Sequence, residues 1–224
     1  ISPQGINKDG DLYNNLFQTG YLIGNYNYET NEFVHGSFTE LDNGHDFYAV
    51  QTLLDDKGRR IAIGWMDMWE SDMPTKVDGW CGALTLPREI TLGENDKILM
   101  NPVEELSLLR ETEHNILTNT VVSGDNFIET KENLLEIKAV FDLTNCNSQS
   151  LGLKIRGINQ EETVLTYHLD KQKLTLDCSK SGKMEDGVRN AILRTNEELS
   201  LRIFIDRSSI EVFANEGQTT MTSR

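Results

Sequence analysis

A chain of 224 residues with 36 acidic and 21 basic side chains carries a formal net charge of −15, a field that repels phosphate backbones and anionic lipid. Nucleic acid and membrane surfaces are therefore not expected as partners; a neutral polar molecule such as a sugar is not opposed, and the acidity also serves solubility alone. With 38% hydrophobic and 25% charged residues the composition is globular, long enough for one large or two ordinary domains, and no stretch approaches the roughly 18 apolar residues of a membrane span.

In chain order, Tyr21-Leu22-Ile23-Gly24-Asn25-Tyr26 reads as a strand. The densest set of functional residue types follows, from Leu41 to Gln51. Asp42, His45, Asp46, Tyr48 and Gln51 surround an Asn43-Gly44 turn signal. A spacing of two can place Asp46 and Tyr48 on one strand face. Carboxylates that grip hydroxyl pairs and an aromatic face that stacks on C–H groups are what a sugar needs, although a polar hairpin with an ordinary Tyr would read the same way. Arg60-Ile61-Ala62-Ile63-Gly64-Trp65-Met66 reads as a buried strand. All three tryptophans, Trp65, Trp69 and Trp80, lie close together. Trp65, inside the apolar run, is expected in the core; Trp69, where that run enters a polar loop, is expected in a binding wall. Ala83-Leu84-Thr85-Leu86 is a strand ended by Pro87, which has no N–H to give a ladder. Short strands rich in glycine and aromatics suit propeller blades.

A helix is predicted from Asn101 to about Arg110, with Asn101 as cap, Pro102 in the first position, Glu104 and Glu105 in the first turn, and Val103, Leu106 and Leu109 on one face. Beyond it, apolar residues alternate with period two. Leu135 to Leu143, Leu151 to Ile155, Leu165 to Leu169, Leu174 to Leu176, Leu201 to Ile205 and Ile210 to Ala214 read as strands with one buried face. Many such strands separated by turns indicate a β-sandwich or barrel.

Cys81, Cys146 and Cys178 are odd in number and widely spaced, so three free thiols are expected, and with them a cytoplasmic location, secretion being the alternative. His35, His45, His114 and His168 lack metal-ligand spacing, and no nucleophile elbow, Walker or dinucleotide glycine pattern occurs. Neither a metal nor a cofactor is expected.

Taken in order, Asp46-Phe47-Tyr48-Ala49-x-Gln51-Thr52, Gly64-Trp65-Met66, Trp69, Pro74-Thr75, Gly79-Trp80, Leu86-Pro87-Arg88-Glu89, Pro102-Val103-x-Glu105-Leu106 and Asp206-Arg207-Ser208-Ser209-Ile210-Glu211-Val212-Phe213 resemble bacterial fructosidases of glycoside hydrolase family 32. Each motif is modest; their joint order along nearly the whole chain is specific. The resemblance implies an all-β chain forming the last blades of a five-bladed β-propeller over residues 1–100, a helical linker over 101–112, and a C-terminal β-sandwich over 113–224, incomplete at its end. It also implies retaining cleavage of terminal fructofuranosyl units by a pair of carboxyl groups about 5–5.5 Å apart.

The family's nucleophile and its stabilising aspartate each sit before a proline, and its acid/base glutamate before a cysteine. This sequence has no Asp-Pro and no Glu-Cys pair, so no catalytic residue is assigned within it. The chain opens on Ile1-Ser2-Pro3 without Met, and Ser2-Pro3-Gln4-Gly5 follows the acid/base motif in the family, so the missing blades are expected upstream as its partner. What the resemblance carries over is a substrate wall of Tyr48, Trp69, Asp42 and the adjacent Asp46 for sucrose, sucrose-6-phosphate or fructan. Arg88 and Glu89, in an ion pair or backbone clamp, and Asp206, Arg207 and Glu211 are expected to be structural. A non-catalytic lectin-like protein and a furanosidase for another sugar are the competing readings.

Overall fold

A computed structural model describes residues 1–112, 116–157, 160–182, 187–195 and 197–224; His114 and residue 113, where the sandwich was expected to begin, lie outside them. The strands in order are β1 (Gly20–Tyr21), β2 (Gly24–Asn27), β3 (Glu32–His35), β4 (Thr39–Glu40), β5 (Tyr48–Leu54), β6 (Arg60–Met66), β7 (Ala83–Leu84), β8 (Arg88–Leu92), β9 (Ile98–Pro102), β10 (Leu135–Asp142), β11 (Ser150–Arg156), β12 (Glu162–His168), β13 (Lys173–Lys180), β14 (Val188–Ile192), β15 (Glu198–Asp206), β16 (Ser209–Ala214) and β17 (Thr219–Ser223). The protein is all-β, with only short 3-10 turns besides strands among the described residues.

The strand predicted over residues 21–26 is two. β1 pairs with β4 and β2 with β3, and the partner changes across Leu22-Ile23. β6 is the hub of the next sheet, taking β5 on one side and β7 and β8 on the other, with β9 beyond β8. Its Gly64 is required by packing: a Cβ there would stand 2.6 Å from the Phe47 ring.

No α-helix follows. Pro102 closes β9 opposite Arg88, and the Asn101 amide donates to Glu216 O at 2.8 Å instead of capping a helix. A 3-10 helix, Glu104–Leu109, replaces the expected one, opened by Val103 without a side-chain cap. Val103 and Leu106 bury against Ile61, whereas Leu109 is exposed, so the face expected of an α-helix is not maintained. Glu105 ties this helix to the β5–β6 turn, accepting from Arg59 at 2.8 Å and Lys57 at 2.8 Å. The Arg59 and Lys57 hydrogen bonds hold its carboxyl at about 2, down from 4.5. A depressed carboxylate stabilises the fold above its ordinary range and loses that contribution as pH falls through its folded value. A carbonyl-carbon NMR titration should therefore show Glu105 ionised through pH 4.5, with its midpoint near 2.

The alternating segments build two four-stranded antiparallel sheets, β10-β15-β16-β17 and β11-β12-β13-β14. Their inner faces merge in one core: Leu165, Tyr167, Leu174 and Leu176 from one sheet meet Leu199, Leu201, Ile203, Val212 and Met221 from the other. Each such side chain contributes about 1.5–3 kcal/mol on burial, which is why the period-two pattern fixes which face turns inward. Tyr167 keeps its hydroxyl satisfied by donating to Leu193 O at 3.1 Å.

The sandwich is fastened to the β5–β9 sheet. Met100 N–H donates to Gly217 O at 3.1 Å, in the β16–β17 turn. Gly217 has φ +78°, and a Cβ on it would stand 2.3 Å from Met100 O, so glycine alone fits there.

Candidate functional site

Four aromatic rings form a row, with the buried Tyr48 second and the exposed Trp69 last. Phe17 lies 5.6 Å from Tyr48, Tyr48 is 6.4 Å from Trp65, and Trp65 meets Trp69 edge-on at 5.1 Å between centroids. Tyr48 is only 5% exposed, Trp65 half-buried and Trp69 56% exposed. Trp69 thus offers an open aromatic surface beside a packed one, the arrangement an amphipathic ligand uses. Gln4 donates its amide N–H to Tyr48 Oη at 3.2 Å, which leaves the phenol proton to point elsewhere. Ala49, at φ 49°, interrupts the ladder after Tyr48, and the β5–β6 register shifts between Tyr48 and Gln51. Such a bulge re-aims a side chain beside a site. Trp65, expected in the core, serves as the middle of this row.

The two acidic residues of the same segment are both buried. Asp42 is buried: Oδ1 accepts from Gly44 N–H and Thr222 N–H, both at 2.8 Å, and Oδ2 from Arg88 at 2.9 Å and Thr222 Oγ1 at 2.7 Å. Both of its oxygens are thus used inside the protein. Asp46 is also buried and accepts from Arg224 N–H at 2.9 Å. It lines a polar cavity of about 160 Å³ together with Asn14, His45, Met68, Ser71 and Arg189. His45 itself is buried with Nδ1 against Ser223 Oγ.

Arg88 is the centre of the network; its ion pairs are with Asp42 and Glu211, and none with Glu89 is seen among the described residues. It bonds Glu211 at 2.7 Å and Thr222 Oγ1 at 2.6 Å besides Asp42, and its guanidinium lies between the Phe47 and Phe213 rings at 4.7 and 4.9 Å. Burial disfavours its charge, but Glu211 and Asp42 outweigh that and hold it cationic. Glu211 also accepts from Leu86 N–H at 2.9 Å, which fixes the approach to β8.

Behind Trp65, buried Asp67 accepts from Met68 N–H at 2.7 Å and from the Cys81 thiol at 3.3 Å, and faces Arg224 at 3.3 Å. The Asp67 hydrogen bond pushes the Cys81 thiol up, away from a reactive thiolate. Among the described residues no group of three His, Cys, Asp or Glu is placed to hold a metal ion. Reading the sequence missed Gln4 and Phe17; only the Ser2-Pro3-Gln4-Gly5 motif pointed near them.

The model of the glycosyl hydrolases family 32 N-terminal domain matches residues 1–102, and that of the family's C terminal matches residues 105–224. A sucrose-6-phosphate hydrolase of Zymomonas mobilis is 40% identical over 221 residues, covering 98% of this chain and 43% of the relative. A raffinose invertase of Escherichia coli is 37% identical over 227 residues, covering 100% and 46%. Among solved structures, a mutant of Bombyx mori GH32 beta-fructofuranosidase in complex with sucrose superposes with a TM-score of 0.76 at 37% identity, covering 100% of this chain and 45% of that one. The chain thus spans about half the length of the curated relatives it matches.

Proposed function

Because this chain belongs to glycosyl hydrolase family 32, we propose that it forms the C-terminal portion of a retaining β-fructofuranosidase acting on sucrose or sucrose-6-phosphate. It supplies the last blades of a five-bladed propeller over residues 1–100, a connector over 101–112, and a supporting sandwich over 113–224. The observation that carries the reading is the row Tyr48–Trp65–Trp69, buried at one end and open at the other, on a chain 40% identical to a sucrose-6-phosphate hydrolase along nearly all its length.

In this reading Trp69 and Tyr48 contact the fructoside, Asp46 borders the site, and Asp42 acts from behind through its hold on the turn. The carboxylates that attack the anomeric carbon and protonate the leaving oxygen come from the rest of the protein, and the enzyme works in the cytoplasm. Retaining chemistry needs both carboxyl groups in one pocket, so this chain is an incomplete catalyst.

The test compares the complete protein with this chain. The complete protein should release fructose from sucrose and from sucrose-6-phosphate, while the purified 224-residue chain releases none. Absence of turnover from the complete protein on any β-fructofuranoside would remove the reading, and turnover by the chain alone would remove the assignment of the catalytic carboxylates elsewhere.

A further inference from the structure

We infer that the sandwich sets the geometry of the pocket wall, with Thr222 and Lys173 as positioning residues that act through Tyr48. The inference rests on Tyr48 belonging to a fructoside site and adds what holds it there.

Two separate grips converge on that ring. The first is β17. It takes the turn preceding Tyr48 almost as an extra strand: Asn43 N–H donates to Thr220 O at 2.9 Å, and His45 and Asp46 N–H donate to Thr222 O at 2.7 and 3.0 Å. Thr222 N–H and Oγ1 return two bonds to the Asp42 carboxylate, and Thr220 Oγ1 donates to Leu41 O at 3.0 Å. The approach is so close that a Cβ on Gly44 would lie 2.0 Å from Thr222 O. The chain then runs directly into Phe47, held against Arg88, and Tyr48.

The second grip comes from the other sheet. Lys173 on β13 bonds Asp11 at 2.5 Å, Asn190 on β14 bonds it at 2.9 Å, and Arg189 bonds Asn15 Oδ1 at 3.0 Å. Two residues later Phe17 packs on Tyr48, and its backbone bridges Gln4, the residue that bonds Tyr48 Oη. Asn15 joins the two grips by donating to Gly44 O at 3.0 Å. Tyr48 is therefore located from its own strand and from the segment stacked on it, and both segments end on the sandwich.

A positioned group loses rate steeply with displacement, about a hundredfold for 1 Å. Thr222→Val keeps the shape of the side chain and the β17 backbone bonds but removes the hydroxyl shared by Asp42 and Arg88. The experiment is a double-mutant cycle on the complete protein, measuring kcat and KM for sucrose in wild type, Thr222→Val, Tyr48→Phe and the pair. Thr222→Val should lower kcat/KM about tenfold, Thr222→Ser should restore it to within about twofold, and in the Tyr48→Phe background Thr222→Val should cost less than about threefold. Additive losses, or a Thr222→Val enzyme with wild-type kinetics, would overturn the inference, because a merely structural residue acts regardless of the Tyr48 hydroxyl. If Thr222→Val does not fold, Lys173→Met at the part-exposed second grip runs the same cycle, with a loss of about threefold expected and additivity again decisive. A wild type that cleaves no fructoside would defeat the functional reading and this inference with it; an active wild type with an additive cycle defeats this inference alone.

Discussion

Arg88→Met should destabilise the complete protein by about 3–5 kcal/mol, seen as a fall in the urea midpoint followed by tryptophan fluorescence. The size follows from what remains. Asp42 and Glu211 are both buried and converge on the guanidinium from opposite ends, one from the turn before β5 and one from β16. Removing the cation leaves two carboxylates out of water with no compensating charge, and the penalty for an unpaired buried ion exceeds anything the lost contacts themselves contributed. The two Phe rings that flank the guanidinium would in addition face a flexible thioether. Arg88→Lys should recover little, because an ammonium is a point charge and cannot reach Asp42, Glu211 and Thr222 in the forked geometry that Nη1 and Nη2 provide. A loss below about 1 kcal/mol, the scale of an exposed pair, would mean that the network does not fasten the sandwich to the neighbouring sheet.

Strands are written locally, and that is why so many were legible. Leu174 and Leu176 alternate with Thr175 and Asp177 whatever the rest of the chain does, and the same holds for β12, β15 and β16. Which strand neighbours which is not local: β10 pairs with β15 across a whole intervening sheet, and no residue of either announces it. The helix prediction failed for a related reason. Pro102 and the acidic pair Glu104-Glu105 are true start signals, but Pro102 also had to finish β9 opposite Arg88, and the pairing took precedence. Within the proposed site, the motif order points to Tyr48, Trp69, Asp42 and Asp46 as a wall and to Arg88 as structural. It could not tell a buried Asp42 from an exposed Trp69, since both sit in one polar-aromatic stretch or near it. The separation comes from Thr222, 180 residues from Asp42 in sequence, whose arrival turns an acidic turn that reads as open into an interior clamp. Asn43-Gly44 reads as a turn signal, and Gly44 N–H does bond Asp42 Oδ1; what the sequence does not announce is that Gly44 is also where two backbones press together.

Burial then distinguishes the two aromatic members of the proposed wall, and Trp69→Ala should show it. Its ring is more than half exposed and its one ring neighbour among the described residues is Trp65, met edge-on, so truncation should change stability by no more than about 1 kcal/mol. Against a fructoside, however, the ring would bury a large apolar face, and losing about 2 kcal/mol of contact lowers kcat/KM roughly thirtyfold. Tyr48→Ala cannot be read so cleanly. Tyr48 packs between Phe17 and Trp65, and removing a buried ring costs about 3–5 kcal/mol of folding free energy before any effect on substrate. Tyr48→Phe keeps the packing and deletes only the hydroxyl whose acceptor side Gln4 occupies, so its effect belongs to whatever receives the phenol proton. The pair of variants, Trp69→Ala and Tyr48→Phe, should therefore depress kcat/KM while leaving the urea midpoint near that of the wild type. If Trp69→Ala instead lowers the midpoint in proportion to activity, Trp69 is a packing residue and the open end of the aromatic row is not where substrate lands.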